Sequence, residues 1–300
     1  MLNYDEFKDA VASQIKEYLP EEYDDATVSI TSVLKNNSLR LDGLTVRRDG
    51  ETVCPNIYLN QFYEVYKDGR EIEEILSEIA RIRQCHEGPL DLDVSAISDW
   101  ELVKPKILVK LINTERNSEY LKDKPHTDIA DLSAVYYISL GSSPDGNMTT
   151  VITDALLLQY GVSVDELHQT AITNMGSKAR FCSMFEVLSA LMPDNSLTED
   201  ICPQDDMMFI LSTDTKLNGF SVFLCPDVMD DVAEKVGRDF FILPSSIHEG
   251  LIVPRKPGME LDSLVSMVKE VNASQVSQEE RVSDHVYLYD FDSHSLVVAA

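Results

Sequence analysis

The stretches TVSITSVL at residues 27–34 and LRLDGLTVRR at residues 39–48 decide the fold class. Both are rich in residues that favour strands, and Asn36-Asn37 between them is typical of a turn. Asp49-Gly50 is a second hairpin signal, and it predicts a third strand at 51–54. The sequence therefore predicts a three-stranded antiparallel meander in this part of the chain.

Helices are predicted before and after this meander in the sequence. Asn3 is a good N-cap and Glu6 follows three residues later, so a helix is predicted to begin here. Two further helices are predicted after the meander, at 60–67 and 71–86. Gly88-Pro89 then breaks the chain, so residues 1–88 form the first predicted unit.

The rest of the chain is predicted to repeat an order of hairpins followed by helices. For the middle section, residues 89–192, strands are predicted at 106–112, 132–140 and 148–153, and helices at 154–160, 163–174 and 180–192. For the last section, residues 193–300, strands are predicted at 207–212, 219–225, 239–243, 251–253, 285–290 and 295–299, and helices at 226–236, 260–272 and after Ser277.

This order favours the α+β class, with antiparallel or mixed sheets and helices packed on one side. We expect a small amino-terminal α/β-hairpin unit and a larger carboxyl-terminal part. The pattern leaves open whether the last two sections form one domain.

The charge of the chain excludes several classes of partner. The 300 residues include 25 Lys and Arg and 52 Asp and Glu, which gives a net charge of −27. Such a surface repels phosphate backbones and anionic membranes, so we expect neither direct nucleic-acid binding nor membrane binding. The acids are spread along the chain and favour a well-solvated surface, and imitation of DNA is the sharper alternative.

Location and metal content follow from the apolar runs and the cysteines. No apolar run approaches the roughly 18 residues of a membrane-spanning helix, and the amino end lacks a signal-peptide pattern. The five cysteines are widely spaced and contain no C-x-x-C pair, which is typical of free thiols in a reducing compartment. We therefore expect a cytoplasmic protein without a structural zinc site.

The densest polar string contains Ser245, Ser246, His248 and Glu249. A hydroxyl, an imidazole and a carboxylate this close could contact a ligand, and catalysis is a weaker alternative. Ser246 and Glu249 also form an S-x-x-E pattern, which predicts a cap on a single helical turn between two strands. The capped turn is the favoured interpretation, with the four residues kept as candidate binding residues.

Other chemistry-bearing patterns are weaker still. His126, Asp128 and Asp131 form H-x-D-x-x-D, which could hold a divalent ion but is better explained as an exposed loop. The hydrolase elbow, the phosphate-binding loop and the dinucleotide fingerprint are absent from the sequence. Acidic pairs stand at Asp24-Asp25, Asp205-Asp206 and Asp230-Asp231, where surface acids are the simplest explanation. The sequence therefore predicts no catalytic residue, no cofactor and no metal ligand.

Several strings together resemble a known family. They are the helix of Phe7 with its end at Tyr18-Leu19-Pro20, Asp42-Gly43-Leu44-Thr45, Ile57-Tyr58-Leu59-Asn60 before Tyr63, residues 243–249, Val271-Asn272 and Leu288-Tyr289. The chain resembles, over most of its length, an uncharacterised bacterial domain of unknown function that recurs in genomes of gut anaerobes. The resemblance implies a cytoplasmic bacterial protein and carries no activity, cofactor or catalytic residue.

These observations favour a non-enzymatic cytoplasmic module that binds a protein partner or regulates it. One alternative is an acidic DNA mimic that inhibits a nucleic-acid enzyme. A second alternative, from another class, is a hydrolase with an unrecognised site. The sequence names neither the partner nor a substrate.

Overall fold

A computed structural model of the chain describes residues 1–51, 54–85, 94–143, 146–191 and 208–300. Contacts between residues divide the chain into two units. The first unit comprises Met1–Lys35 and Leu39–Leu92, and the second comprises Asn36–Ser38 and Asp93–Ala300.

The first unit combines helices with one small antiparallel sheet. Its elements are α1 (Tyr4–Gln14), β1 (Thr27–Leu34), β2 (Arg40–Arg47), β3 (Ile57–Tyr58), α2 (Leu59–Lys67) and α3 (Ile72–Cys85). The sheet has the order β1-β2-β3. The helices cover it with a core that includes Phe7, Val11, Leu44, Ile75 and Ile79.

The amino-terminal helix begins where the sequence predicts. Asn3 Oδ1 accepts a hydrogen bond from Glu6 N at 3.0 Å, and Glu6 Oε2 accepts one from Asn3 N at 2.8 Å. This reciprocal capping box satisfies two donors that the helix itself leaves unpaired. The prediction of a helix from Asn3 is confirmed.

The third strand of the meander lies later in the chain than predicted. The strand predicted at 51–54 is wrong at Glu51 and Cys54, which lie outside the sheet, and residues 52 and 53 are outside the described residues. Pro55 has no N–H to donate to a ladder, so pairing begins only beyond it. Ile57 then pairs with Leu44, and Tyr58 pairs with Gly43.

The second unit contains two antiparallel sheets. The four-stranded sheet consists of β4 (Ile107–Asn113), β5 (His126–Ile129), β6 (Leu132–Ser143) and β7 (Gly146–Val151). Strand β6 pairs with β4, β5 and β7. The six-stranded sheet has the order β13-β12-β10-β11-β9-β8, with β8 (Ala179–Ser183), β9 (Phe209–Thr213), β10 (Phe240–Ser246), β11 (Glu249–Pro254), β12 (Tyr287–Asp290) and β13 (Ser295–Val298).

Helices join these sheets into one core. They are α4 (Trp100–Val103), α5 (Asp154–Tyr160), α6 (Val164–Gly176), α7 (Met184–Leu191), α8 (Pro226–Val236) and α9 (Leu261–Ser274). Leu111, Tyr136, Leu167 and Ile252 belong to the same buried cluster, so both sheets and α6 share it. Residues of α9 instead pack on Phe241 and Leu243, which alternate along β10 with core residues. The described part of the chain is therefore α+β with antiparallel sheets, and the predicted class is confirmed.

Three predicted elements of the second unit are wrong. The helix predicted at 180–192 begins as strand β8, and its helical part starts only at Met184. The strand predicted at 219–225 is a 3-10 helix over Gly219–Leu224, and its first residue packs against Ser212 and the carbonyl of His248 with no space for a Cβ. Strand β5 was predicted as a loop. Strand β8 forms through its pairing with β9, which lies later in the chain, whereas β5 forms a tight hairpin with the adjoining strand β6.

Candidate functional site

The predicted binding residues lie at the tight turn between β10 and β11. Ser246 pairs with Glu249 across the turn, and Ile247 and His248 form it. Ser246 Oγ accepts a hydrogen bond from His248 N at 3.1 Å. The predicted helical turn is wrong, because Glu249 also pairs with Ser212 of β9 and this stretch continues the ladder.

Each of the four candidate side chains or its neighbouring backbone has a contact within the protein. His248 Nδ1 accepts from Asn218 N at 3.2 Å, so the ring proton is on Nε2, which lies 3.6 Å from Glu280 Oε1. Ser245 Oγ lies 3.5 Å from Glu249 Oε1. The turn therefore brings Ser245 to Glu249 but directs the imidazole of His248 elsewhere, and the four residues do not form a catalytic constellation.

A second polar centre surrounds Asp131 in the turn between β5 and β6. Its Oδ1 accepts from Tyr287 OH at 2.7 Å. Its Oδ2 accepts from Ser283 Oγ at 2.8 Å and from His285 Nδ1 at 3.0 Å, with Asn113 Nδ2 at 3.3 Å. Burial, together with the charge of Asp131, raises the pKa of Tyr287, which keeps this hydroxyl protonated as a donor.

His285 is the solvent-facing member of this centre. Its side chain is 46% exposed, and because a carboxylate only accepts, Nδ1 donates to Asp131. A serine hydrolase would need a hydroxyl that donates to the imidazole. The Ser283 hydroxyl donates to Asp131 instead, so this centre activates no serine.

The neighbouring residue Asp284 fixes the same segment. Arg116 Nη2 donates to it at 2.5 Å, and Asn272 Nδ2 donates at 2.7 Å. Burial alone would raise the pKa of Asp284, but these hydrogen bonds hold it below its usual value. Residues 283–287 are therefore attached through Asp131 on one side and through Arg116 and Asn272 on the other.

The predicted H-x-D-x-x-D cluster does not converge. His126 Nδ1 lies 2.8 Å from the carbonyl of Lys124, and Asp128 accepts from Ser133 Oγ at 2.7 Å. Asp131 alone reaches residues 283–287. Within the described ranges, no group of three or more His, Cys, Asp or Glu side chains is arranged to hold a metal ion.

Sequence reasoning missed the Asp131 centre. Ser283, His285 and Tyr287 stand at every second position, a spacing that places side chains on one side of a strand. This spacing therefore indicated that the three donor side chains lie together. Their common acceptor lies 154 residues before His285, and no local pattern indicates it.

The third candidate is a surface rather than a cluster of side chains: the outer edge of β1, which we call the β1 edge. Within the described residues β1 pairs with β2 alone. The register is unbroken, from Thr27 opposite Arg47 to Leu34 opposite Arg40. The strand contains neither a charged residue nor a proline. An edge of this kind is a template for another strand.

The backbone groups that point outward along the β1 edge follow from the ladder. Lys35 N donates to Leu39 O at 2.7 Å, and Asp42 N points away from β1 to Asn60 Oδ1 at 2.8 Å. Hydrogen-bonded and non-hydrogen-bonded pairs alternate in an antiparallel ladder. The outward N–H and C=O groups therefore belong to Val28, Ile30, Ser32 and Leu34.

The fold and these sites define an α+β protein of two units with no assembled catalytic constellation in its described part. The chain belongs to a family of unknown function (DUF5688), whose model matches residues 4–291. The resemblance to an uncharacterised family is thus confirmed. No curated protein and no solved structure matches the chain. Among the helices that the structure describes, none combines the length and apolarity needed to cross a membrane.

The strings that carry the family resemblance have structural roles in both units. In the first unit, Asp42 N donates to Asn60 Oδ1, and the rings of Phe7 and Tyr63 lie 5.4 Å apart. In the second unit, Asn272 Nδ2 donates to the carbonyl of Ser283 at 2.9 Å. These contacts explain the residues named here by packing and hydrogen bonding.

Proposed function

We propose that this protein is a non-enzymatic cytoplasmic module that binds a protein partner by adding an extended segment of it to the β1 edge. In this mode of recognition, main-chain hydrogen bonds supply affinity and neighbouring side chains supply specificity. The observation that carries the proposal is the uncharged, eight-residue edge strand with its four outward-facing residues.

The other edge strands of the described sheets are shorter or carry a charge. Strand β13 has four residues, β8 has five and includes Arg180, and β4 has seven and includes Lys110. Short strands and charged side chains are devices that protect sheet edges from pairing. Strand β1 has neither device, which supports a role in binding.

The alternatives have less support. A hydrolase would need an activated nucleophile, and the Ser283 hydroxyl donates to Asp131 rather than to His285. A DNA mimic needs carboxylates repeated along one face. The acidic pairs Asp24-Asp25, Asp205-Asp206 and Asp230-Asp231 are far apart in the sequence and show no such repeat.

Ser32 offers a direct test, because its side chain is exposed and its N–H points outward. Ser32→Pro removes this donor while the ladder to β2 keeps its hydrogen bonds, since proline is tolerated on an edge strand whose N–H faces solvent. Ser32→Thr is the matched control, because it keeps the N–H and favours a strand. Far-UV circular dichroism and thermal melting establish that both variants are folded.

The probe is a displayed library of short peptides that are free of proline. We expect peptides that bind the wild type and Ser32→Thr but lose at least about tenfold in affinity for Ser32→Pro. Ser32→Lys, which places a charge beside the edge, should weaken binding in the same way. Selected peptides that bind Ser32→Pro equally well would overturn the proposal, and so would failure to select any peptide with a wild type that is monomeric.

A further inference from the structure

We infer that the segment that occupies the β1 edge is β1 of a second copy of this chain, in antiparallel orientation across a two-fold axis. The inference rests on the proposed function, since it names the partner of the same edge. It would join the three-stranded sheets of two copies into one continuous sheet. An interface of this kind is isologous, because the same residues contribute from both copies.

The register of such a pair is fixed by the outward-facing residues. When Val28 lies opposite Leu34 and Ile30 lies opposite Ser32, all outward N–H and C=O groups of both strands are used. If the two strands shifted by one residue, each outward-facing residue would lie opposite a residue whose N–H and C=O groups point to β2. A shift by two residues leaves one of the four outward residues without a partner on the other strand. The favoured register therefore has Thr31 of each copy beside the axis.

Side chains in this register match from strand to strand. Val28 and Ile30 pack against the core of the first unit, so the apolar face of one copy continues into that of the other. Thr31 lies on the exposed face and would meet Thr31 of the second copy. Thr–Thr pairs across strands are favourable. The faces of the two sheets are thus compatible without any rearrangement of β1.

Charges at the two ends of β1 favour the antiparallel orientation. Asp24 and Asp25 precede the strand, and Lys35 follows it. In the favoured register Lys35 lies opposite Thr27, so the basic end of one strand lies beside the acidic end of the other. The Lys35 ammonium lies 4.7 Å from the centre of the Tyr58 ring of β3, across β2 from the β1 edge, so the side chain would turn toward the edge to meet these acids. A parallel pair would instead place the acidic ends together.

Cysteine cross-linking of the full chain tests both the occupant and the register. Thr31→Cys places two thiols at a non-hydrogen-bonded pair, where Cα atoms are about 4.5 Å apart and a disulfide fits. Ser29→Cys is the matched control on the same face, because its two copies would be roughly 14 Å apart along the strands. Under copper-phenanthroline oxidation we expect a covalent dimer through residue 31 and none through residue 29, as mapped by mass spectrometry.

Sedimentation velocity over a range of protein concentrations supplies the second readout. We expect the wild type and Ser32→Thr to form reversible dimers, and Ser32→Pro to remain monomeric at concentrations where the wild type is mostly dimeric. A dimer that persists in Ser32→Pro, or equal cross-linking through residues 29 and 31, would overturn the inference. If the wild type is monomeric but binds library peptides, and Ser32→Pro weakens that binding, the inference is overturned and the proposed function stands. If the wild type is monomeric and binds no peptide, both are overturned.

Discussion

Asp131 Oδ2 lies 3.0 Å from His285 Nδ1, although 154 residues separate the two in the chain. The same carboxylate accepts from Ser283 and Tyr287, so one side chain in the β5–β6 turn holds the segment that leads into β12. Hydrogen bonds to a charged acceptor are stronger than neutral ones. The contact therefore identifies Asp131 as a point of attachment between the two sheets of the second unit.

Replacement of Asp131 should destabilise the second unit. Asp131→Asn removes the negative charge and turns one acceptor into a donor that faces other donors, so we expect a loss of about 1.5–3 kcal/mol in the free energy of unfolding. Asp128→Asn is the matched control, because Asp128 accepts from Ser133 alone among the hydrogen bonds described for its side chain. Urea denaturation measures both variants. Equal stability of Asp131→Asn and wild type would contradict this role.

The S-x-x-E pattern shows what sequence can and cannot predict here. Ser163 accepts from Glu166 N at 3.1 Å and starts α6 as predicted, because a helix cap is a local interaction. Ser246 and Glu249 have the same spacing but face each other across a hairpin turn. The difference comes from β9, whose Ser212 pairs with Glu249. Local patterns thus predicted caps, and strand pairing over a long range decided where they apply.

A local pattern also indicates where α7 begins. Ser183 and Glu186 form a reciprocal capping box inside the helix predicted at 180–192, at 2.7 and 3.1 Å, so the true start of α7 was readable. The β1 edge could be predicted from the sequence only in part. The sequence predicted the strand and its turn, but the identity of an edge depends on which strands pair, and no local pattern contains that information.

His168 should make stability depend on pH. Burial lowers the pKa of His168 below 6.5, so the folded protein favours the neutral ring, which lies 2.9 Å from Tyr136 OH. A folded-state pKa below the unfolded value means that stability is full above the unfolded pKa and falls as pH drops toward the folded one. We therefore expect thermal stability to fall as pH decreases below 6.5.

Variants assign this dependence to one ring. His168→Gln should flatten the decline in melting temperature, because it removes the group that takes up a proton on unfolding. His294→Gln is the control, since His294 is an exposed histidine at the β12–β13 turn. Melting temperatures are recorded from about pH 7.5 to about pH 5.5, the range in which histidine titrates. An undiminished slope in His168→Gln would refute the assignment.

Two glycines should respond oppositely to the same substitution. A Cβ on Gly219 would lie 2.3 Å from the backbone oxygen of His248, so Gly219→Ala should cost about 1–3 kcal/mol through overpacking. A Cβ on Gly176, at the end of α6, would meet its nearest neighbour at 3.6 Å. Gly176→Ala should be neutral or stabilise by up to about 1 kcal/mol. Chemical denaturation of both variants measures this, and a tolerated Gly219→Ala would show that the close packing of the 3-10 helix is unimportant.

The central claim is that β1 presents a free edge for another strand, and amide hydrogen exchange followed by NMR tests it most directly. In dilute protein we expect fast exchange at Val28, Ile30, Ser32 and Leu34, and protection at Ser29, Thr31 and Val33, whose N–H groups bond to β2. The outward amides should become protected when a strand is added, either at high protein concentration or with a bound peptide. Protection of the outward amides in dilute, unliganded protein would contradict the account, because it would show that the edge is already covered.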